Sequence, residues 1–194
     1  FTLLIVILLL LPFAIANSGS IKLMAVTNPE ENARGSMADM YLEIQEGSGR
    51  VFIDSFPLSK LDTQISTRFA KEVACNFLET DCNKYDFFYT IRSESALIGG
   101  PSAGAATTVL TIAVLENIPL DSKTTMTGTI NTGGIIGPVG SVIEKAKAAA
   151  KAGMKKVLIP KFTDINTTNL TQIEEEYDIE IIEVSQISEA VFEF

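Results

Sequence analysis

The sequence predicts an α+β fold, an α/β sandwich, on three observations. The run 105–115 is apolar nearly all round, the pattern of a helix buried in the middle of a structure. Short stretches rich in β-branched and aromatic residues, such as 86–92 and 156–159, flank it on both sides and read as strands. The resulting order of strands, helix, strand, helix, strands, helix and strand packs as layers around one core. A chain of 194 residues can bury such a core without metal or disulfide staples, and neither an internal repeat nor a second domain is evident.

The first 17 residues read as a signal peptide or an N-terminal membrane anchor. Residues 3–16 are apolar without interruption, and Ala14-Ile15-Ala16 has the small-x-small form of a signal-peptidase site. Residues 21–39 read as a polar linker or strand, and residues 40–194 as the folded domain. Within it, 40–44 and 50–55 suggest a hairpin around Glu46-Gly47-Ser48-Gly49. Asp62 is placed to cap a helix whose Ile65, Phe69, Val73 and Phe77 form a stripe for the sheet. The buried helix from Ser102 to about Asn117 ends before Pro119.

Residues 126–130 and 135–139 read as strands joined at Thr132-Gly133-Gly134. A helix over 141–152 then opens on a Ser141/Glu144 capping box and stops at Gly153. The strand at 156–159 closes on Pro160, a polar loop leads to 170–177, and a strand at 180–184 precedes a short helix from Ser188.

Composition narrows the function classes. A net charge of −9 and a pI near 4.6 argue against nucleic acid and anionic membrane surfaces as partners, because both reward clustered cations. With no histidine, the common zinc sites and Cys-His nucleophiles are excluded, and no metal or other cofactor is expected. Cys75 and Cys82 are close enough in sequence to pair across a small loop, or stand as two separate thiols. Asn166-Thr167-Thr168 and Asn169-Leu170-Thr171 are glycosylation sequons in an expected surface loop, which agrees with export.

A serine between glycines at the start of a buried helix sits beside unpaired helix-start N–H groups. Gly100-Pro101-Ser102-Ala103-Gly104 fits the G-x-S-x-G elbow of hydrolases, but those activate the serine with a histidine. The base here must be another group. On a helical wheel over 141–152, Lys147 and Lys151 lie with Glu144 on the solvent side, whereas Lys145 projects along the alanine flank. Desolvation there lowers the lysine pKa and makes Lys145 a base near neutral pH; the alternative is a stem that covers the alanines with its ammonium in water.

Gly100-Pro101-Ser102-Ala103-Gly104, Thr125-Met126-Thr127-Gly128, Gly137-Pro138-Val139-Gly140 with Glu144-Lys145, and Val157-Leu158-Ile159-Pro160-Lys161 together closely resemble the proteolytic domain of Lon proteases. The blocks stand in that family's order, and Ser102 and Lys145 are 43 residues apart, as in the family. The resemblance is strong over 96–161 and extends back to about Met40. It implies a Lon proteolytic domain-like fold related to the ribosomal protein S5 domain 2-like fold. It also implies Ser102 as nucleophile, Lys145 as general base and Thr127 as the residue that helps hold the lysine. Gly100, Pro101 and Ala103 form the loop, with backbone N–H groups around Ser102 and Ala103 to hold the oxyanion. Two positions depart from the family: Gly99 stands where an acidic residue is common, and Thr129 follows Met126-Thr127-Gly128 where glutamate is frequent.

The expected function is therefore a serine endopeptidase with a Ser102-Lys145 dyad. Its expected partners are unfolded or membrane-associated polypeptides, the membrane through the N-terminal segment, and further copies of itself, since Lon domains form rings of six. No G-x-x-x-x-G-K-[ST] loop occurs, so hydrolysis by this chain alone is expected to be ATP-independent. The catalytic domain is expected outside the cytoplasm, membrane-anchored or secreted. Two other readings are a membrane-tethered binding module that kept the fold, and a small-molecule kinase of the galactokinase or mevalonate kinase type, whose glycine- and serine-rich phosphate loop Gly99 to Ala106 resembles loosely.

Overall fold

A computed structural model describes residues 17–27, 34–56, 58–93, 99–161, 163 and 167–194. Residues 1–16 of the expected signal or anchor and the first sequon asparagine, Asn166, lie outside the described residues.

Seven strands form one mixed sheet: β1 (Asn17–Thr27), β2 (Arg34–Glu46), β3 (Val51–Phe56), β4 (Tyr85–Ser93), β5 (Thr124–Met126), β8 (Lys156–Pro160) and β9 (Glu180–Val184). Their order across the sheet is β3-β4-β2-β1-β5-β8-β9. β1 with β2 and β2 with β4 are antiparallel, and every other neighbouring pair is parallel. A small antiparallel pair, β6 (Thr129–Ile130) and β7 (Ile136–Gly137), stands apart. The helices are α1 (Leu61–Phe77), α2 (Gly104–Leu115), α3 (Val142–Lys151), α4 (Thr167–Tyr177) and α5 (Ile187–Glu193).

The pleat sends alternate residues to opposite faces, so the sheet carries two cores. On one face Met40, Leu42, Phe87, Tyr89 and Leu158 pack with α1, α2 and α5 around Val109 and Leu110. On the other, Met24, Val157 and Ile159 meet Val142, Ala146 and Ala149 of α3 and Ile173 of α4. The predicted α/β sandwich is thus the observed architecture, and α2 is buried from Gly104 to Val114 as its composition requires.

Several local expectations are corrected. The segments 40–44 and 50–55 are strands but not a hairpin, because β4 lies between them and β3 runs parallel to it. Asp86 on β4 explains this: it accepts hydrogen bonds from the Ser48 and Arg50 amides and from the Arg50 guanidinium, drawing the connecting loop across β4. Arg50 holds the Asp86 carboxyl well below the usual carboxylate range. The stretch 21–39, partly read as linker, is mostly strand, with β1 central in the sheet.

In α1 the expected stripe holds in part: Val73 is buried with Ala70 and Ala74, but Ile65 and Phe77 are exposed and Thr63 and Thr67 face inward instead. Small residues let α1 approach α2 closely: a Cβ on Gly104 would stand 2.9 Å from Ser66 Oγ. The threonine hydroxyls are satisfied by carbonyls, Thr67 Oγ1 donating to Thr63 O. Lys60, not Asp62, is the residue before the first turn, and Asp62 lies within it. Ser141 forms no capping box: it holds a left-handed backbone with φ of 57°, which turns its side chain away from the α3 amides. A capping box does occur at Gln186 and Glu189, opening α5. The second sequon asparagine, Asn169, is exposed in α4 and not in a loop. Cys75 and Cys82 form a disulfide that ties the end of α1 to the turn before β4.

Candidate active site

The segment carrying Ser102 is fastened from three directions. Gly100 has φ of 96°, a conformation that favours glycine, and sets the bend into a short 3-10 turn over Pro101–Ala103. From α1, Thr63 Oγ1 donates to the Gly100 carbonyl at 3.4 Å and Ser66 Oγ to the Pro101 carbonyl at 3.3 Å. From the β5–β6 connection, the Gly128 amide donates to the Ser102 carbonyl at 2.9 Å, and Gly128 O accepts from the Ala105 amide. The backbone around the serine is therefore fixed while Ser102 itself stays partly exposed.

Thr127 is wholly buried between strands, its amide bonded to Leu158 O. Its hydroxyl donates to the Ser102 carbonyl at 3.2 Å and accepts from Lys145 Nζ, also at 3.2 Å. One hydroxyl thus touches the loop of the proposed nucleophile and the tip of the proposed base. Lys145 reaches it from the first turn of α3 with only 3% of the residue exposed, whereas Lys147 and Lys151 face solvent. Among the described residues no carboxylate pairs with Lys145, and burial alone pulls its pKa down from 10.5 to about 8. An ammonium there loses hydration with no counter-charge to replace it, so the balance moves toward the neutral amine.

Lys145 Nζ and Ser102 Oγ are not hydrogen-bonded to each other in this structure, and the lysine's partner is Thr127. Such contacts are often long in unliganded sites and tighten around substrate. Within the loop, Pro101 has no N–H and can only shape the turn. The amides of Ser102 and Ala103 lie in the first turn, where the helix itself supplies no acceptor, and are suited to an oxyanion. Thr129 pairs with Gly137 across β6 and β7. Among the described residues no cluster of three cysteines or carboxylates could hold a metal ion.

Two residues were missed from sequence. Gly35 on β2 lies under α3, where a Cβ would collide with the Glu144 carbonyl oxygen and stand 2.7 Å from Ala148 Cβ. It therefore sets how closely the turn carrying Lys145 sits on the sheet. Lys60 covers Gly99, since a Cβ there would stand 2.7 Å from Lys60 Cδ. A glycine inside a strand was a signal for the first; nothing local signalled the second.

The sequence profile of the Lon protease (S16) C-terminal proteolytic domain matches residues 73–193. The archaeal Lon protease of Archaeoglobus fulgidus is 40% identical over 94 residues, covering 48% of this chain and 15% of that protein. The Lon protease of Mycoplasma mobile is 31% identical over 158 residues, covering 73% of this chain and 18% of that protein. Lon protease 2 of Bacillus subtilis is 41% identical over 96 residues, covering 50% and 16%. This chain thus spans less than a fifth of the length of these relatives. With the profile covering more than half of the chain, and with the buried lysine and the glycine-bounded serine inside the matched region, the chain belongs to the Lon protease C-terminal proteolytic domain family.

Proposed function

We propose that this chain is a serine endopeptidase in which Ser102 is the nucleophile and Lys145 the general base. The observation that carries the reading is the burial of Lys145 with its Nζ on Thr127 and its pKa drawn down to about 8, which leaves a usable fraction of neutral amine near neutral pH. Lys145 takes the Ser102 proton as Oγ attacks a peptide carbonyl, and the Ser102 and Ala103 amides face the developing oxyanion. Collapse of the tetrahedral intermediate expels the amine, which takes the proton from Lys145. Water, deprotonated by the same lysine, then attacks the acyl carbonyl; the bond to Oγ breaks, the acid leaves and Oγ regains its proton from Lys145.

None of these steps uses a nucleotide, which supports ATP-independent cleavage of unfolded or membrane-emergent polypeptides by the isolated chain. The Cys75–Cys82 disulfide and the apolar leader support a location outside the cytoplasm, anchored or secreted. Family membership supports assembly into a homo-oligomer, a ring of six being the form to test. The test of the reading is hydrolysis of unfolded casein and a fluorogenic peptide by the wild type, Ser102→Ala and Lys145→Arg. Ser102→Ala should lose about 10³-fold or more with an unchanged melting temperature. Lys145→Arg should be inactive because a guanidinium does not give up its proton. Wild-type turnover should rise with pH about a midpoint near 8. Near-normal rates in either variant would refute the dyad.

A further inference from the structure

The wall beside Ser102 contains a cation that the reaction does not use. Gly99 and Gly100 form the approach to the serine. A Cβ on Gly100 would stand 4.0 Å from Ser102 Oγ, and one on Gly99 would stand 2.7 Å from Cδ and 3.2 Å from Cε of Lys60. The Lys60 stem therefore lies against Gly99, and the Ser102 hydroxyl lies near Gly100, the next residue. Because residue 99 has no side chain, the lysine can lie along this edge.

Lys60 is exposed, and among the described residues it has no ion pair and no hydrogen bond from its side chain. Lys22, Lys71, Lys84, Lys155 and Lys156, by contrast, each have a carboxylate within ion-pair distance. In a chain of net charge −9, Lys60 brings an unpaired ammonium to this edge, with the exposed Asp62 two residues further along. Near Lys60 in the chain are two exposed apolar residues: Leu58 is 78% exposed and Leu61 is 70% exposed. The position is held, since Thr63 and Ser66 of the same helix are bonded to the Gly100 and Pro101 carbonyls.

Resting on the peptidase reading, we propose that Lys60 is a specificity-determining residue. It selects polypeptides that place an acidic side chain, flanked by apolar residues, beside the scissile bond. The carboxylate meets the ammonium while the apolar neighbours cover Leu58 and Leu61, which partly desolvates the pair and raises its worth above that of a fully exposed one.

The test separates binding from hydrolysis. Two fluorescent peptides that differ only as Phe-Glu-Leu against Phe-Gln-Leu are titrated onto the Ser102→Ala chain, and anisotropy gives the ratio of their affinities. A threefold to fivefold preference for the Glu peptide is expected, the size of a single surface ion pair. It should vanish in Lys60→Ala and invert in Lys60→Glu, and the intact enzyme should show the same ratio in KM with little change in kcat. A Glu-to-Gln ratio unmoved by Lys60→Glu overturns the proposal. So does self-association of the chain through this face, seen by sedimentation and abolished by Leu58→Ser. Failure of the peptidase reading has a separate signature, the absence of Ser102-dependent hydrolysis of either peptide while the binding ratio persists.

Discussion

Lys145 Nζ donates to the Thr127 hydroxyl at 3.2 Å, and no other hydrogen bond from that ammonium is formed among the described residues. Thr127 in turn bonds the Ser102 carbonyl, so one buried threonine aligns the two halves of the site. Thr127→Val keeps the shape and deletes the acceptor. Turnover should fall by about 10- to 100-fold, and the midpoint of the pH–rate profile should move below 8, because an acceptor stabilises the ammonium more than the amine. Thr127→Ser should recover most of both. Steady-state kinetics across pH 6 to 10 check this, and an unshifted midpoint with intact rate would remove Thr127 from the site.

The depressed pKa of Lys145 is also a statement about stability. In the folded chain the lysine loses its proton near pH 8, and in the unfolded chain near 10.5, so between these values the unfolded state binds more protons and stability rises with pH. Below pH 8 both states are protonated and the full penalty of the buried charge is present. Lys145→Met should therefore be more stable than the wild type at pH 7, by up to about 3 kcal/mol, and the gain should shrink toward pH 10.5. Urea unfolding of both proteins at the two pH values measures it. An equal difference at both would show that the charge is not the cause.

Gly35 fixes the height of α3 above the sheet. In Gly35→Val the new side chain meets the Glu144 carbonyl and Ala148, so the helix must lift. Destabilisation of about 1 to 3 kcal/mol is expected from such overpacking. Greater hydration of Lys145 should also move the pH–rate midpoint up from about 8 toward the ordinary lysine range. Gly35→Ala combined with Ala148→Gly should recover part of both effects. A Gly35→Val enzyme with wild-type stability and pH profile would contradict the contact.

The Cys75–Cys82 disulfide closes a loop with a sequence separation of 7. Its loss in Cys75→Ser with Cys82→Ser should cost about 2 kcal/mol, the loop-closure entropy of so short a ring. The serine loop is bonded to the first turns of α1 and this bond lies at its last turn, so turnover below the unfolding transition should be unchanged. Guanidinium unfolding with and without reductant, beside peptide hydrolysis, checks both parts.

The placement of the candidate residues was easier to read in the sequence than the pairing of strands. Ser102, Thr127 and Lys145 each lie in a short block of distinctive residues, and the side of the helix that Lys145 takes follows from 100° steps through residues whose neighbours are alanines. Strand pairing depends on partners remote in sequence. That β4 would enter between 40–46 and 51–56 rests on Asp86 bonding a loop more than thirty residues earlier, which local alternation does not encode. On α1, Val73, Ala70 and Ala74 are buried as expected, but Ile65 and Phe77 are exposed, because close approach to α2 favours threonine and alanine over large apolar side chains. Ser141 was misread because a capping pattern presumes an extended backbone, and the turn after Gly140 holds it left-handed.

The placement of β1 also governs when the site can exist. This early strand lies in the interior of the sheet, with Leu23 opposite Met126 and the Lys22 carbonyl accepting from Thr125 Oγ1 at 2.7 Å, so it waits about a hundred residues for its second neighbour. Contacts of such long sequence separation form slowly and late. A nascent chain that ends before residue 127 holds Ser102 but neither the threonine that bonds its carbonyl nor the lysine proposed as its base. On the proposed reading, proteolytic competence arrives only with topological closure of the sheet, and an incompletely synthesised molecule would carry an unarmed serine.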